Sequence, residues 1–333
     1  MRTMRNDLLE PASAAAPSVT TPGLGAVGQE AVGRADGGAG NVAAVYNRAG
    51  DGYTAYADGD PERLFAFEGA HAYADRRLWV LLESKLIALQ AQGQTSLSLL
   101  DAGCGPGAWL RRLVIRARQL GFTRIAARGF DVAAGQVQAA RRLSRELGAQ
   151  SGVEMRFEVA DLSRPLPEAD ASVDIALCLY SVLSHLPTAE LPRIAKELSR
   201  VTRGWFVTTV RVVGGPPTVF VDSMENAAYF HHDHSSDQCE VQLRNGRFFV
   251  MNFHLFEPAE LQACFGAHFT VEDLRGLDLF HSRFSRDSRW NPPDLTADAG
   301  FLGDLEWLEE AYARRAGFME RATHLLLVGR ARG

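Results

Sequence analysis

Leu99-Leu100-Asp101-Ala102-Gly103-Cys104-Gly105-Pro106-Gly107 runs from a short apolar strand into an amphipathic helix. Glycines at such a junction let the backbone turn tightly and come close to a ligand, and the helix N-terminus that follows offers unpaired N–H groups. In open parallel sheets a ligand sits at the carboxyl ends of the strands. Gly103, Gly105 and Ala108 also satisfy the dinucleotide pattern GxGxxA, a weak signal by itself. Three features argue against a nicotinamide dehydrogenase. Asp101 precedes the first glycine, where a carboxylate opposes a pyrophosphate but suits a cationic ligand group. The loop lies about a hundred residues into the chain, behind a helical, tyrosine-bearing segment. The chain closes on a strand after a long excursion, which suits an antiparallel last pair.

Outward from this loop, strands and helices alternate. Upstream, residues 71–92 carry Leu78, Leu81, Leu82, Leu86 and Leu89 at helical spacing. Downstream, helices are expected over 108–120, 134–147 and 188–202, and strands over 125–130, 153–159, 173–180 and 205–212. Residues 173–180 are nearly all apolar, as for a strand covered on both faces. A helix over 258–265 and strands over 269–279 and 324–331 complete the core. Counting 97–100 as the first strand, the pattern predicts an α/β fold: a mostly parallel seven-stranded sheet with helices on both faces and an antiparallel last strand. Two insertions, 213–256 and 280–320, are expected as a cap over one end of the sheet. The first contains CEVQLR-NG-RFFVMNFHLF, where Asn245-Gly246 signals a two-residue hairpin turn with positive φ at both positions. Residues 41–94 are read as a helical lid segment. Residues 1–40 are rich in Ala, Gly, Pro, Ser and Thr and are expected to be a disordered tail.

Composition excludes several function classes. Lys plus Arg is 35 against 40 for Asp plus Glu, a formal charge of −5, so the basic footprint of a nucleic-acid binder is missing. The local cluster Arg111, Arg112, Arg116 and Arg118 reads as a solvated helix face. Cys104, Cys178, Cys239 and Cys264 form no CxxC pair and no disulfide framework, which fits a reduced, cytoplasmic setting. No apolar run is long enough to span a membrane. Monomer or homodimer is expected, with no nucleic-acid or membrane partner.

LLDAGCGPG resembles the first signature motif of class I S-adenosylmethionine-dependent methyltransferases, small-molecule type. Asp131 in GFDVAAGQVQAAR resembles that family's acidic residue after the second strand, and Asp161 in VADLSRPLP its adenine-side acidic residue. DIALCLYSVLSHL, residues 174–186, resembles its fourth strand. The resemblance spans roughly residues 95–212, and 257–333 more weakly. It implies a Rossmann-like fold and S-adenosylmethionine as cofactor. It implies that Gly103, Gly105 and Gly107, with Cys104, pass close to the methionine moiety. Asp101 would hold its cationic aminoacyl end. Asp131, followed by Val132, would accept the ribose hydroxyls, Asp161 the adenine amino group, and Leu162 would lie beside the ring. Tyr180 and Ser181 would line the floor under the sulfonium. The alternative for Asp131 and Asp161 is helix capping and turn formation.

Methyl transfer from a sulfonium is an in-line displacement, and a base is needed only when the attacking atom must lose a proton. Candidate catalytic residues are His185, in SVLSHLP after the fourth strand, and His231, His232 and His234, in the loop YFHHDH. His185 reads either as a group near the sulfonium or as a loop-holding histidine. The three clustered imidazoles read as an acceptor pocket, a metal site or an exposed loop. Their spacing matches no standard zinc pattern, so no metal is expected. Tyr229, His254, His281, Arg283, Arg289 and Trp290 are candidates for acceptor binding; the arginines and tryptophan either clamp a carboxylate or ring, or merely cover a loop. Tyr53 and Tyr56, in AGDGYTAYADGD, either form a lid on the cofactor side (Tyr53) and acceptor side (Tyr56) or simply pack. The reaction expected is transfer of a methyl group to O or N of a small polar metabolite. The alternatives are a non-catalytic cofactor-binding subunit or sensor, and methylation of RNA or protein.

Overall fold

A computed structural model describes residues 41–49, 63–67, 71–216, 218, 226–281 and 299–332. Its centre is a seven-stranded sheet in the order β3-β2-β1-β4-β5-β10-β9. The strands are β1 (Ser96–Ala102), β2 (Arg124–Asp131), β3 (Val153–Val159), β4 (Val173–Cys178), β5 (Thr202–Arg211), β9 (Phe269–Leu277) and β10 (His324–Ala331). All pairs from β3 to β5 are parallel, and β10 runs antiparallel to both β5 and β9. The expected sheet, with its antiparallel last strand, is therefore present. Every residue of β4 and nearly every residue of β5 is buried, because helices cover both faces there.

The two faces carry separate apolar layers. On one side, α2 (Ala72–Ala91) and α3 (Ala108–Gln119) pack through Leu78, Leu82, Leu86, Leu110 and Leu113. On the other, α6 (Leu191–Val201) and α7 (Pro258–Gly266) contribute Ile194, Leu198, Leu261 and Phe265. A capping box starts α7, with the Glu257 side chain taking the amide three residues on and Glu260 reaching back. The helix expected over 134–147 is interrupted, giving α4 (Ala134–Leu143) and α5 (Arg145–Gly148).

The first insertion builds its own antiparallel sheet, β6 (Ala227–Asp233), β7 (Gln238–Leu243) and β8 (Phe248–Asn252). The hairpin expected at Asn245-Gly246 joins β7 to β8, but with a different turn. Only Gly246 has positive φ, 85°, and the Leu243 amide donates to the Arg247 carbonyl at 2.8 Å around a three-residue connection. A type I turn followed by one left-handed residue needs glycine only at its last position. A short helix over residues 41–49, α1, packs Val45 against Val241, Met251 and Phe253 of this small sheet. In the second insertion, α8 (Ala299–Tyr312) and α9 (Ala316–Met319) lead into β10. Glu309 of α8 accepts the amides of Leu279, Phe280 and His281 at 2.8–2.9 Å. Arg76–Glu306 and Arg77–Glu310 ion pairs join α2 to α8.

The arginine cluster on α3 corrects the sequence reading. Arg112 is 1% exposed and Arg111 is also buried. The Arg112 Nε donates to the Leu64 carbonyl at 2.6 Å, and its guanidinium lies over the Trp109 and Phe67 rings at 4.6 and 5.1 Å. A planar, weakly hydrated guanidinium tolerates such a site where lysine would not. Arg116 and Arg118 instead reach Glu83 and the Phe122 carbonyl. The expected tail, residues 1–40, lies outside the described residues. Among those described, no helix is long and apolar enough to cross a membrane. All four cysteines are free thiols.

Gly107 caps α3 at φ 80°, and a Cβ there would stand 2.9 Å from the Phe157 ring. Gly107→Ala should therefore combine left-handed strain of about 1–2 kcal/mol with a clash costing about 1–3 kcal/mol. The expected outcome in urea unfolding is a loss of about 2–5 kcal/mol.

Candidate functional site

A cleft with a cavity volume of about 120 Å³ lies at the carboxyl ends of β1, β2, β3 and β4. The glycine loop forms its base through Gly103, Cys104, Gly105 and Pro106. The loop is held down by backbone bonds, since the amides of Gly103 and Cys104 both donate to the Phe130 carbonyl, at 2.8 and 2.9 Å. Gly105 has φ 50°, and a Cβ there would meet nothing within 4 Å. The backbone at this position therefore faces open space, a cradle for a ligand rather than a packing contact.

Asp131 ends β2 in the cleft wall beside Val132. Its carboxylate accepts the Gly105 amide at 3.0 Å through Oδ2 and the Ala133 amide at 2.8 Å through Oδ1. Burial raises its pKa, opposed by the amides of Ala133, Gly105 and Val132. The turn-forming and ligand-binding readings are thus compatible, because each carboxylate oxygen retains acceptor capacity. Asp161 and Leu162, after β3, line the next stretch of wall. Asp161 Oδ1 accepts the Ser163 amide at 2.8 Å, leaving Oδ2 for other partners. Tyr180 borders the cleft with φ 51°, its amide donating to Thr209 Oγ1 at 2.7 Å and its hydroxyl to the Asp75 carboxylate. Desolvation, then the Asp75 charge, raises this phenol far above its ordinary pKa.

Other sequence candidates fall elsewhere. Asp101 is 2% exposed and, like Gly107 and Ser181, stands behind the lining residues. Ser181, at φ 69°, forms the turn after Tyr180, its amide donating to the Thr209 carbonyl. His231, His232 and His234 are not among the residues lining the cleft, and the expected loop is a correction: His231 and His232 belong to strand β6, paired with β7. The His232 Nε2 is 2.7 Å from the Phe253 carbonyl, and Tyr229 is exposed on the same strand. His254, expected at the acceptor, is not among the residues lining the cleft. Its Nδ1 lies 3.0 Å from Asp237 and its Nε2 2.9 Å from Glu260, tying the small sheet to α7. Burial works to lower its pKa, but the two carboxylates outweigh it and hold the imidazole above its ordinary value. His281 stacks on Tyr73 at 4.3 Å, and burial lowers it to about 4. Tyr53, Tyr56, Arg283, Arg289 and Trp290 lie outside the described residues.

His185 does reach the cleft, on a 3-10 turn over Val182–His185. Its partner was missed: Tyr46 of α1, whose hydroxyl is 2.9 Å from Nε2. The His185 Nδ1 lies 3.1 Å from the Asn252 carbonyl, which can only accept, so Nδ1 carries the proton and Nε2 accepts from the tyrosine. Burial lowers His185 to about 4, so the ring is neutral at physiological pH. The His254 amide also donates to the Ser184 carbonyl at 2.7 Å, which fastens the end of the small sheet to this turn. Val42 of α1 and Gln136 of α4 complete the wall. The only trace of this wall in the sequence is the onset of aromatic residues at Tyr46, a signal without spatial content.

Residues 99–204 match a family model described as a methyltransferase domain. No curated protein is a significant match to the sequence. Among solved structures, the chain is similar to an S-adenosylmethionine-dependent methyltransferase from Clostridium acetobutylicum ATCC 824, at 11% identity over 77% of this chain and 92% of that one, with a TM-score of 0.45. It is similar to magnesium protoporphyrin IX methyltransferase from Synechocystis PCC 6803, at 17% identity over 76% and 83% of the two chains, TM-score 0.41. It is also similar to geranyl diphosphate C-methyltransferase from Streptomyces coelicolor A3(2), at 18% identity over 88% and 97%, TM-score 0.46. The matched span holds every cleft-lining residue except Val42 and Tyr46. The chain thus carries, over residues 99–204, a stretch that matches a methyltransferase domain, about a third of its length.

Proposed function

We propose that the protein methylates O or N of a small polar molecule, with the cofactor seated between the glycine loop and α1. The observation that carries this reading is enclosure. The cleft is walled by α1 on one side and the 3-10 turn on the other, with the glycine loop at its base, which leaves room for a small acceptor and not for a folded macromolecule. The net charge of −5 gives no support to a polyanionic acceptor such as RNA.

When bound, the cofactor supplies an electrophilic methyl group on sulfur. The backbone of Gly103 and Gly105 gives the methionine portion a close approach. Asp131 takes the ribose hydroxyls on its remaining lone pairs, and Asp161 with Leu162 takes the adenine edge and face. Tyr180 forms the floor. Tyr46 and His185 act as one unit at the rim. A neutral imidazole with a pKa near 4 is a weak base at pH 7, so His185 serves to orient the Tyr46 hydroxyl at the rim rather than to take a proton.

Calorimetry should show binding of S-adenosylhomocysteine and none of NAD. Gly105→Ala should weaken S-adenosylhomocysteine binding at least tenfold, about 1.4 kcal/mol, because the new methyl enters the open cradle. Its cost in stability should stay near the 1–2 kcal/mol of left-handed strain, roughly. A metabolite screen read by S-adenosylhomocysteine release tests turnover. Tight cofactor binding with no turnover on any acceptor would favour a silent sensor or subunit.

His185 also makes a pH prediction. Its pKa is about 4 when folded and about 6.5 when unfolded. Between those values the unfolded chain holds more protons, so stability falls as pH drops through that window. In denaturant titrations, the stability advantage of the wild type over His185→Gln should shrink between pH 6.5 and 4 by up to about 3 kcal/mol. A difference independent of pH would show that the imidazole is not buried in its neutral form.

A further inference from the structure

Behind Tyr180, away from the glycine loop, three residues distant in sequence converge. His71 precedes α2, Asp278 follows β9 directly, and His324 opens β10. One ligand-type atom from each lies within 4.8 Å of the other two. The His71 and His324 rings meet edge to face at 4.9 Å, and Tyr180 contacts both, at 5.4 and 5.6 Å. Asp278 and His324 are each 3% exposed, while His71 is half-buried.

We propose that His71, Asp278 and His324 bind a divalent first-row transition metal ion beside the cleft. Two imidazoles and one carboxylate suit Zn²⁺, Fe²⁺ or Co²⁺, whereas Mg²⁺ and Ca²⁺ prefer all-oxygen sites. Three protein ligands leave a position open. Two further observations favour an ion over a plain hydrogen-bonded cluster. The Nδ1 of His324 is buried without a hydrogen-bond partner, a loss that a metal bond would repair. The surroundings also carry buried negative charge, since Glu309 and Asp75 stand near Asp278, with Arg211 and Arg76 opposing them. Around a tetrahedral ion, bonds of about 2.0–2.2 Å place ligand atoms roughly 3.4 Å apart. His71, partly exposed at a helix end, has the freedom to close that gap.

The location gives the ion a role that rests on the proposed methyl transfer. Tyr180 contacts both imidazoles and also borders the cleft, so an ion held here would stand one side chain away from it. An acceptor oxygen bound there would lose its proton more easily, since a bound cation favours the anion.

The test is calorimetric titration of Zn²⁺, and absorption spectroscopy with Co²⁺, on full-length protein stripped with EDTA. The wild type should bind one ion per chain, with visible Co²⁺ bands. His71→Ala and His324→Ala should weaken binding at least a hundredfold, and Asp278→Asn should do the same. The double variant His232→Ala/His234→Ala should bind as the wild type does. S-adenosylhomocysteine affinity, measured on each variant, reports an intact fold, and His71→Ala carries the least folding risk. No ion uptake by the wild type, equal uptake by His71→Ala, or loss confined to the His232/His234 variant would overturn the proposal. Ion uptake without S-adenosylhomocysteine binding would instead count against the methyl-transfer reading alone.

Discussion

The carboxylate of Asp131 joins the two loops on which the cleft depends. It takes one amide from the glycine loop and one from its own turn, so that the ends of β1 and β2 are fixed to each other. The parallel pairing of these strands, from Ser96↔Arg124 to Ala102↔Phe130, brings the loops level. The Phe130 carbonyl holds the two preceding amides of the glycine loop, those of Gly103 and Cys104. Hydrogen bonds to a charged group contribute about 1.5–3 kcal/mol each, against the cost of burying the carboxylate. The loop is thus set before any ligand arrives, and binding need not include the entropy of ordering it.

The outer wall has a different origin. Helix α1 packs its apolar side on the small sheet, and that sheet is fastened to the turn after β4 through Asn252 and His254. Asn47 of α1 also accepts the Gly135 amide at the start of α4 at 2.8 Å. The first insertion therefore acts as a bracket that positions Tyr46 against His185. His254, held between Asp237 and Glu260, contributes to the bracket.

On the far side of Tyr180, polar groups are buried at a density that an apolar core does not require. Asp75, Asp278, Glu309, Arg211, His281 and His324 are all buried there. Burial and the neighbouring Glu309 and Asp75 carboxylates push Asp278 up to about 8, with Arg211 and Arg76 opposing. Such groups are costly unless they are paired or serve a site. Tyr180 touches both this region and the cleft, and its backbone is left-handed at φ 51°.

Legible in the chain alone are the sheet-forming strands, the helices between them, the glycine loop, and the carboxylates Asp131 and Asp161 at strand ends. Each is a local pattern: a period of two or 3.6 residues, or a loop whose residue types reveal its backbone needs. Local pattern misled where burial is set by distant partners. Arg112 looked solvated and is enclosed by Trp109, Phe67 and the Leu64 carbonyl. The histidine run looked like a loop, and His231 and His232 lie on a strand that pairs with β7. Tertiary structure alone decided that Tyr46 meets His185 across 139 residues, and that His71, Asp278 and His324 share one corner. Such meetings follow from sheet order and from where an insertion docks. Both are set by long-range packing, which leaves no periodic trace in the chain.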